Sequence, residues 1–491
     1  MHPLPARARS SAVLAGAVLV GALLAPVAAP GTAAATAVAP TATAAPALTP
    51  RAAAAQARIA RLLPVRVARS RALGRQYTGI VADVGTGHVI WQTGSAVPMR
   101  GASTTKLATA VTALRLLGTT TRFPTRVVTG RSAGEVVLVA GGDPLLTSSQ
   151  LDRLAHDAAV ALLPTVAPLP TPAAAPTPDP TTAPTPATSP SDGATPVPTG
   201  TPSAPPVAPS APRAVRVTVR LDDTLYPSPT YATGWPSDYE PYVVAPVRPL
   251  VRDLRNNGDT ATDAAAFFTA RLAAALRTLA AGRTDVALSA GYAGRLAAPV
   301  GARLVARFAG NTSGAAIARM LLVSDNDVAE MLFRDSAIAA GRGGSWSAAG
   351  RTAVAELTKL GVPLAGWRLY DGSGVSRADR VTARGLVALL RIAQRPSHPE
   401  LAPLRRLLPV AAVSGTLRTR FTAWPTRCAR ARVFAKTGSL FDAIALAGYA
   451  LGTDGRLRAF AVLDRPVDPR YSRAAVRQAV EIVPATATGC Y

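Results

Sequence analysis

Ser103-Thr104-Thr105-Lys106 stands directly before a helical pattern whose apolar face begins at Leu107. In a helix, residues three positions apart are neighbours, with Cβ atoms roughly 5–6 Å apart. Ser103 would then lie at the helix N-terminus, beside free backbone N–H groups and the positive end of the helix dipole. The stretch therefore predicts a nucleophilic hydroxyl with a lysine as its base. The alternative is an ordinary helix start, with Ser103 as N-cap and Lys106 exposed.

A second short motif, Ser324-Asp325-Asn326, lies between two helical patterns far downstream of Ser103. The hydroxyl of Ser324 can relay a proton, and the side-chain amide of Asn326 can hold a substrate amide. The alternative is a helix N-cap formed by Asp325 or Asp327.

A third motif, Lys436-Thr437-Gly438-Ser439, ends the strand-like segment 433–435. Lys436 and Thr437 suit the binding of a carboxylate. Gly438 removes a side chain where a substrate could lie along the strand edge, and the backbone N–H of Ser439 could pair with that of Ser103 as an oxyanion hole. The alternative is a strand that simply ends in a turn.

The use of lysine strengthens the three motifs as a set. The chain contains only three lysines, Lys106, Lys359 and Lys436, against 50 arginines, and two of the three fall in these motifs. Arginine does not lose its proton in proteins and cannot serve as a general base. A lysine at position 106 is therefore what a base-assisted nucleophile requires.

S-x-x-K, S-D-N and K-T-G in this order resemble the motifs of penicillin-binding proteins and serine β-lactamases. The resemblance is closest to the class C low-molecular-mass penicillin-binding proteins, the D-Ala-D-Ala carboxypeptidase/endopeptidase family, and extends over most of the chain from Tyr77 to Ile482. Further matching segments are Gly141-Gly142-Asp143-Pro144, Asp222-Asp223-Thr224, Ala329-Glu330, Asp371-Gly372-Ser373-Gly374-Val375-Ser376 and Gly415-Thr416-Leu417.

The resemblance implies an α+β fold, in which helices flank an antiparallel sheet and a large accessory insertion separates the first two motifs. It also implies a serine peptidase without cofactor or metal that acts on peptidoglycan stem peptides and is acylated by β-lactams. Ser103 would form the acyl-enzyme, Lys106 would take its proton, and Ser324 would pass a proton to the leaving amine. The implied substrate-binding residues are Asn326, Lys436, Thr437, Gly438 and Ser439. These motifs do not distinguish removal of the terminal D-Ala from cleavage of cross-links.

Composition and pattern predict a signal peptide (1–35) and an Ala/Pro-rich tether with a short helix (36–70). The resemblance implies that these are followed by the first part of a transpeptidase-like catalytic domain (71–118), inserted accessory structure (119–300) and the second part of the catalytic domain (301–491). The Pro/Ala/Thr-rich segment 164–212 holds 17 of the 44 prolines and few core-forming residues, which predicts a disordered loop. Residues 302–308 and 315–323 are predicted as one helical stretch broken at Gly310.

The N-terminal residues predict export. Arg7 and Arg9 precede an uncharged apolar stretch from Ser11 to Ala29, followed by small residues, as in a secretory signal peptide. The alternative is an uncleaved segment that tethers the protein to the membrane. Export favours a disulfide between Cys428 and Cys490, which would contribute about 4 kcal/mol in the chain-entropy model; the alternative is two free thiols.

The net charge of +25 fits attraction to a cell wall rich in carboxylates, although a general bias toward arginine explains it as well. Because the arginines are dispersed and aromatic residues make up only 5% of the chain, no nucleic-acid partner is expected. Two cysteines and four scattered histidines do not suit a zinc or iron–sulfur site.

Two other functions remain open from the sequence. A serine β-lactamase or esterase could use the same fold, but no E-x-x-L-N segment follows S-D-N, since Glu356 is followed by Leu357-Thr358-Lys359. The other alternative is a non-catalytic wall-binding protein with an inert site, which the intact motifs disfavour.

Overall fold

The computed structural model describes residues 48–74, 76–168, 211–466 and 468–491. The predicted signal peptide, most of the predicted tether and residues 169–210 of the predicted loop lie outside the described residues. The helices are α1 Pro50–Arg69, α2 Lys106–Leu116, α3 Ser148–Val166, α4 Thr260–Leu279, α5 Ser313–Leu322, α6 Asn326–Ala339, α7 Trp346–Lys359, α8 Ala383–Ile392, α9 Leu404–Leu407 and α10 Arg473–Ala487. The strands are β1 Tyr77–Asp83, β2 Val89–Thr93, β3 Thr125–Thr129, β4 Glu135–Val139, β5 Arg213–Asp222, β6 Val286–Arg295, β7 Leu304–Phe308, β8 Val433–Leu440, β9 Ala443–Leu451 and β10 Leu457–Asp464.

The first sheet is antiparallel throughout, in the order β2-β1-β10-β9-β8. Its strands come from both ends of the described chain. Side chains of α1 and α10 pack on one face of the sheet, around Val81 and Phe460. Side chains of α2 and α8 pack on the other face, around Ile80 and Ala461. The result is a sheet between two helical layers, with β8 as an edge strand.

Helix α2 lies in the centre of the helical layer. Every residue from Lys106 to Leu114 is buried, so the helix has no solvent face over its first turns. A helix that is buried all round belongs to the interior of a large core. The amine of Lys106 is therefore enclosed by protein, which is the condition for shifting its protonation equilibrium.

The second sheet has the order β6-β5-β4-β3-β7, with β4, β5 and β6 parallel to one another and β3 antiparallel to both of its neighbours. Apolar side chains of α3 and α4 pack on one face of it. The helix predicted over 302–308 is wrong, because Leu304–Phe308 is strand β7, paired with β3. Strand β7, which follows residue 300, therefore belongs to the second sheet.

Helix α3 extends through Pro164 to Val166, so the helix ends slightly later than the composition suggested. Cys428 and Cys490 form the predicted disulfide, with Cα atoms 5.7 Å apart, and join the segment before β8 to the end of α10. No helix among the residues that the structure describes combines the length and apolar character needed to cross a bilayer.

Candidate active site

The chain enters α2 through a short 3-10 turn, Ala102–Thr105, that carries Ser103. Ala102 has a φ of 44°, a left-handed conformation that is uncommon for a residue with a Cβ. Ser103 is not the N-cap of α2, which is Thr105. Instead its Oγ accepts a hydrogen bond from Lys106 Nζ at 3.1 Å. The alternative of an ordinary N-cap with an exposed lysine does not hold.

Lys106 is fully buried, and its Nζ donates three hydrogen bonds. The acceptors are Ser103 Oγ at 3.1 Å, Asn326 Oδ1 at 2.7 Å and the backbone carbonyl of Ser373 at 3.0 Å. Burial lowers the pKa of Lys106 to about 8, and the negative charges of Glu330 and nearby aspartates limit the shift. With a pKa of about 8, roughly a tenth of this lysine is uncharged at pH 7, and the uncharged fraction rises with pH.

The second motif meets the first through Asn326, the first residue of α6. Its Oδ1 accepts from Lys106, and its Nδ2 donates to the carbonyl of Val243 at 2.6 Å. Asp325 is the N-cap of α6, accepting from Val328 N at 3.1 Å, so the capping alternative is correct for this one residue. The motif thus combines a helix cap with a contact to the buried lysine.

Ser324 stands just before this cap with a φ of 65°, again in the left-handed region. Its Oγ accepts a hydrogen bond from Lys436 Nζ at 2.8 Å, which brings the second and third motifs together. Lys436 also donates to the carbonyl of Thr437 at 2.9 Å. Lys436 is fully buried, and burial, together with the positive charge of Lys106, brings its pKa well below the usual value.

Edge strand β8 presents the third motif beside the turn that carries Ser103. A Cβ on Gly438 would lie 2.6 Å from the carbonyl oxygen of Gly101, so only glycine permits this approach. Thr437 Oγ1 donates to Thr416 Oγ1 at 2.9 Å, and Ser439 is exposed near the end of the strand. The structure therefore brings the eight predicted site residues of the three motifs into one region.

Three contacts of the site were not predicted: the carbonyls of Ser373 and Val243, and the hydroxyl of Thr416. The segments 371–376 and 415–417 were noted for their resemblance to the family, without a role. Every residue has a backbone carbonyl, so the sequence does not show which carbonyl contacts the site. Only the glycines on either side of Ser373 could have indicated this segment.

Comparison with known proteins agrees with this geometry. A family described as "D-Ala-D-Ala carboxypeptidase 3 (S13) family" matches residues 62–161 and 258–485, which include all three motifs. A carboxypeptidase of Mycobacterium tuberculosis is 32% identical over 411 residues, which is 82% of this chain and 79% of the relative. The chain belongs to the D-Ala-D-Ala carboxypeptidase 3 (S13) family. The predicted family, and with it the class of serine-type D-Ala-D-Ala carboxypeptidases, is confirmed.

Two further proteins are similar to this S13 family member, one in sequence and one in structure. Carboxypeptidase DacB of Mycolicibacterium smegmatis is 31% identical over 399 residues, 80% of this chain and 77% of the relative. The crystal structure of penicillin binding protein 4 from Haemophilus influenzae superposes with a TM-score of 0.64 at 18% identity, covering 84% of this chain and 97% of that one. A structure of the same protein complexed with a β-lactam gives a TM-score of 0.54. The predicted α+β fold is confirmed.

Proposed function

We propose that Ser103 is the nucleophile of a serine peptidase that cleaves D-Ala-D-Ala peptides of peptidoglycan. The observation that carries the proposal is the contact between Ser103 Oγ and the fully buried Nζ of Lys106, 3.1 Å apart. Burial lowers the pKa of this lysine to about 8, so an uncharged amine is present at the distance that proton transfer requires.

In the acylation step, Ser103 Oγ attacks the carbonyl carbon of the scissile amide while Lys106 Nζ takes the hydroxyl proton. The carbonyl oxygen becomes an oxyanion, for which the backbone N–H groups of Ser103 and Ser439 are the proposed donors. The tetrahedral intermediate then expels the amine, which needs a proton in order to leave. Ser324, 2.8 Å from Lys436 Nζ, is the proposed relay: it gives its hydroxyl proton to the amine and receives in its place the proton that Lys106 took from Ser103. Water hydrolyses the acyl-enzyme and restores Ser103.

Substrate recognition is assigned to the edge of β8. The amine of Lys436 and the hydroxyl of Thr437 suit the terminal carboxylate of the peptide. Asn326 is assigned to the substrate backbone through its Nδ2 group, which has one hydrogen beyond the bond to Val243. A β-lactam that mimics the dipeptide would acylate the same serine, as the complex of the Haemophilus influenzae protein with a β-lactam suggests.

The same proposal includes export to the cell wall. The sequence pattern of residues 1–35 is that of a signal peptide, and the disulfide between Cys428 and Cys490 is of the kind that forms outside the cytosol. The accessory structure around the second sheet is proposed to decide between terminal D-Ala removal and cross-link cleavage.

The test compares the wild-type protein with Ser103→Ala and with Ser347→Ala, which changes an exposed serine on α7. Wild type and Ser347→Ala are expected to gain the mass of one benzylpenicillin at Ser103 and to release D-Ala from a D-Ala-D-Ala peptide. Ser103→Ala should do neither while keeping the wild-type thermal unfolding profile. Retained labelling in Ser103→Ala would reject the site, and turnover of penicillin faster than of the peptide would favour a β-lactamase.

A further inference from the structure

The segment from Asp371 to Ser376 turns its backbone N–H groups toward two buried carboxylates. Glu330 of α6 accepts from Gly372 N at 2.7 Å and from Ser373 N at 2.9 Å. Asp371 accepts from Gly374 N and Ser376 N, each at 2.7 Å. Because these four N–H groups point toward the carboxylates, the backbone carbonyls between them point away and can accept from other groups.

Those carbonyls face α2, the helix that carries the proposed base. The carbonyl of Gly372 accepts from Thr109 Oγ1 at 2.6 Å, and the carbonyl of Ser373 accepts from Lys106 Nζ at 3.0 Å. The segment has little freedom to adjust. A Cβ on Gly372 would lie 2.5 Å from Phe333 Cβ, and Gly374 has a φ of +79° that other residues rarely adopt. The position of the Ser373 carbonyl therefore depends on the carboxylates that hold its segment.

The Ser373 carbonyl matters because of the geometry of an uncharged amine. A neutral lysine has two N–H hydrogens and one lone pair, whereas the charged form has three hydrogens. Asn326 Oδ1 and the Ser373 carbonyl accept only, so they can take the two hydrogens of the neutral form. The lone pair is then left for the third partner, Ser103 Oγ, whose proton it must accept.

We propose that Glu330 is a positioning residue for acyl transfer, which holds the carbonyl of Ser373 so that the lone pair of Lys106 points at Ser103. This inference rests on the proposed function and assigns to that same site a residue that does not touch the substrate. Glu330 is fully buried on α6, and its two oxygens accept from Gly372 N and Ser373 N, which belong to the two peptide planes before the Ser373 carbonyl. The plane of that carbonyl itself is held by the bond from Gly374 N to Asp371. Loss of either bond to Glu330 would let the preceding planes turn and would move the Ser373 carbonyl with them.

Glu330 also contributes charge to the surroundings of Lys106. The charged groups that act on Lys106 come from α6 and its cap, from the segment 371–376 and from β8: they are Asp325, Asp327, Glu330, Asp371 and Lys436. Burial raises the pKa of Glu330 well above its usual value, but both of its oxygens accept backbone N–H groups, which favours the carboxylate. A negative charge at Glu330 favours the protonated lysine. Removing that charge lowers the pKa of Lys106, so activity that requires the neutral amine should rise at lower pH.

The test measures the second-order rate of acylation by benzylpenicillin between pH 6 and 10 for wild type, Glu330→Gln and Glu330→Asp. Glu330→Gln replaces one acceptor by a donor and removes the charge. We expect its plateau rate to fall on the order of 10²-fold, as for a misplaced catalytic group, and its midpoint to move to lower pH. Glu330→Asp keeps the charge but is too short to accept both N–H groups. Its plateau should fall while its midpoint stays at the wild-type pH.

Asp335→Asn is the matched control. Asp335 is a buried carboxyl on the same helix that accepts from Tyr226 at 2.6 Å and has no contact with Lys106. Rates are expressed per protein that is finally acylated, so a loss of folded molecules does not change them. Asp335→Asn should keep the wild-type plateau and midpoint.

The outcomes separate this inference from the proposed function. A wild-type plateau in either folded Glu330 variant overturns the positioning role while the peptidase remains. An equal fall in Asp335→Asn also overturns it, because the effect would then follow from any change in the core of α6. If wild type itself is not acylated at Ser103, the proposed function fails and the inference fails with it.

Discussion

The two buried lysines of the site lie in opposite electrostatic surroundings. Lys106 has lost its contact with water, but four carboxylates act on it and hold its pKa at about 8. Lys436 is equally buried, and the charge of Lys106 adds to the effect of burial in lowering its pKa. Among the residues that the structure describes, no carboxylate opposes that shift for Lys436.

This difference suggests why the two lysines have different tasks. A base whose pKa lies near the working pH can take a proton in one step and return it in another. A buried amine without a carboxylate is held uncharged until an anion arrives, and a substrate carboxylate then supplies the missing partner. In this account the placement of carboxylates, rather than burial itself, separates the proton acceptor from the carboxylate-binding group.

The largest effect is expected from Lys106→Arg. Arginine keeps the positive charge and the hydrogen bonds but does not give up its proton, so it cannot act as the base. The rate of acylation by benzylpenicillin should fall by about 10³-fold, within the range for loss of general-base catalysis. Lys359→Arg is the control, because Lys359 is exposed at the end of α7 and pairs with Glu356. A near-normal rate in Lys106→Arg would contradict the role of Lys106 as the base, and with it the proposed difference in task between the two buried lysines.

A smaller and more selective effect is expected from Lys436→Met. If Lys436 binds the terminal carboxylate, wild type should cleave a D-Ala-D-Ala peptide about 10–100-fold better, in kcat/KM, than the same peptide ending in a carboxamide. Lys436→Met should lose that discrimination, mainly through a higher KM for the carboxylate peptide. Equal discrimination in the variant would show that another group binds the carboxylate.

The smallest effect is expected from Asp327→Asn, which tests the role of the surrounding carboxylates. The pKa of Asp327 is raised to about 6, mainly by burial, so its side chain is charged where Lys106 titrates. The neutral amine is the active form, and activity therefore rises with pH through the pKa of Lys106. Removing a negative charge lowers that pKa, so the midpoint of acylation should move to lower pH by less than about one unit.

Asparagine keeps the oxygen that accepts from Ala245 N, so the packing around position 327 should not change. Asp152→Asn, at a surface carboxylate that pairs with Arg271, provides the control and should keep the wild-type midpoint. A shift to higher pH in Asp327→Asn would contradict the electrostatic part of the account.

The sequence predicted those parts of the molecule in which side-chain identity carries the chemistry. Ser103, Lys106 and Lys436 are predicted as site residues because one hydroxyl and two of the three lysines lie in short motifs. The carbonyl of Ser373 was not assigned, because any residue provides a carbonyl and only the folded segment decides where it points. Glu330 lies in a segment that resembles the family, but the sequence predicts no role for it, because its partners are backbone N–H groups.

Prediction of the fold from the sequence has a similar limit. The antiparallel sheet with flanking helices follows from the resemblance of the three motifs to the family, and the first sheet is antiparallel as expected. Strand β7 was mistaken for a helix because five residues between glycines do not distinguish a period of two from a period of 3.6. Its pairing with β3, far away in the sequence, stabilises a conformation that its local pattern does not specify.

The most direct test is a pH titration of protein labelled with ¹³C at lysine Cε, followed by NMR. The chain has only three lysines, so each signal can be assigned from single Lys→Arg variants. Lys106 is expected to titrate with a midpoint near pH 8, and Lys436 is expected to remain uncharged down to lower pH than is usual for lysine. A Lys106 side chain that stays protonated up to pH 10 would contradict its role as the base.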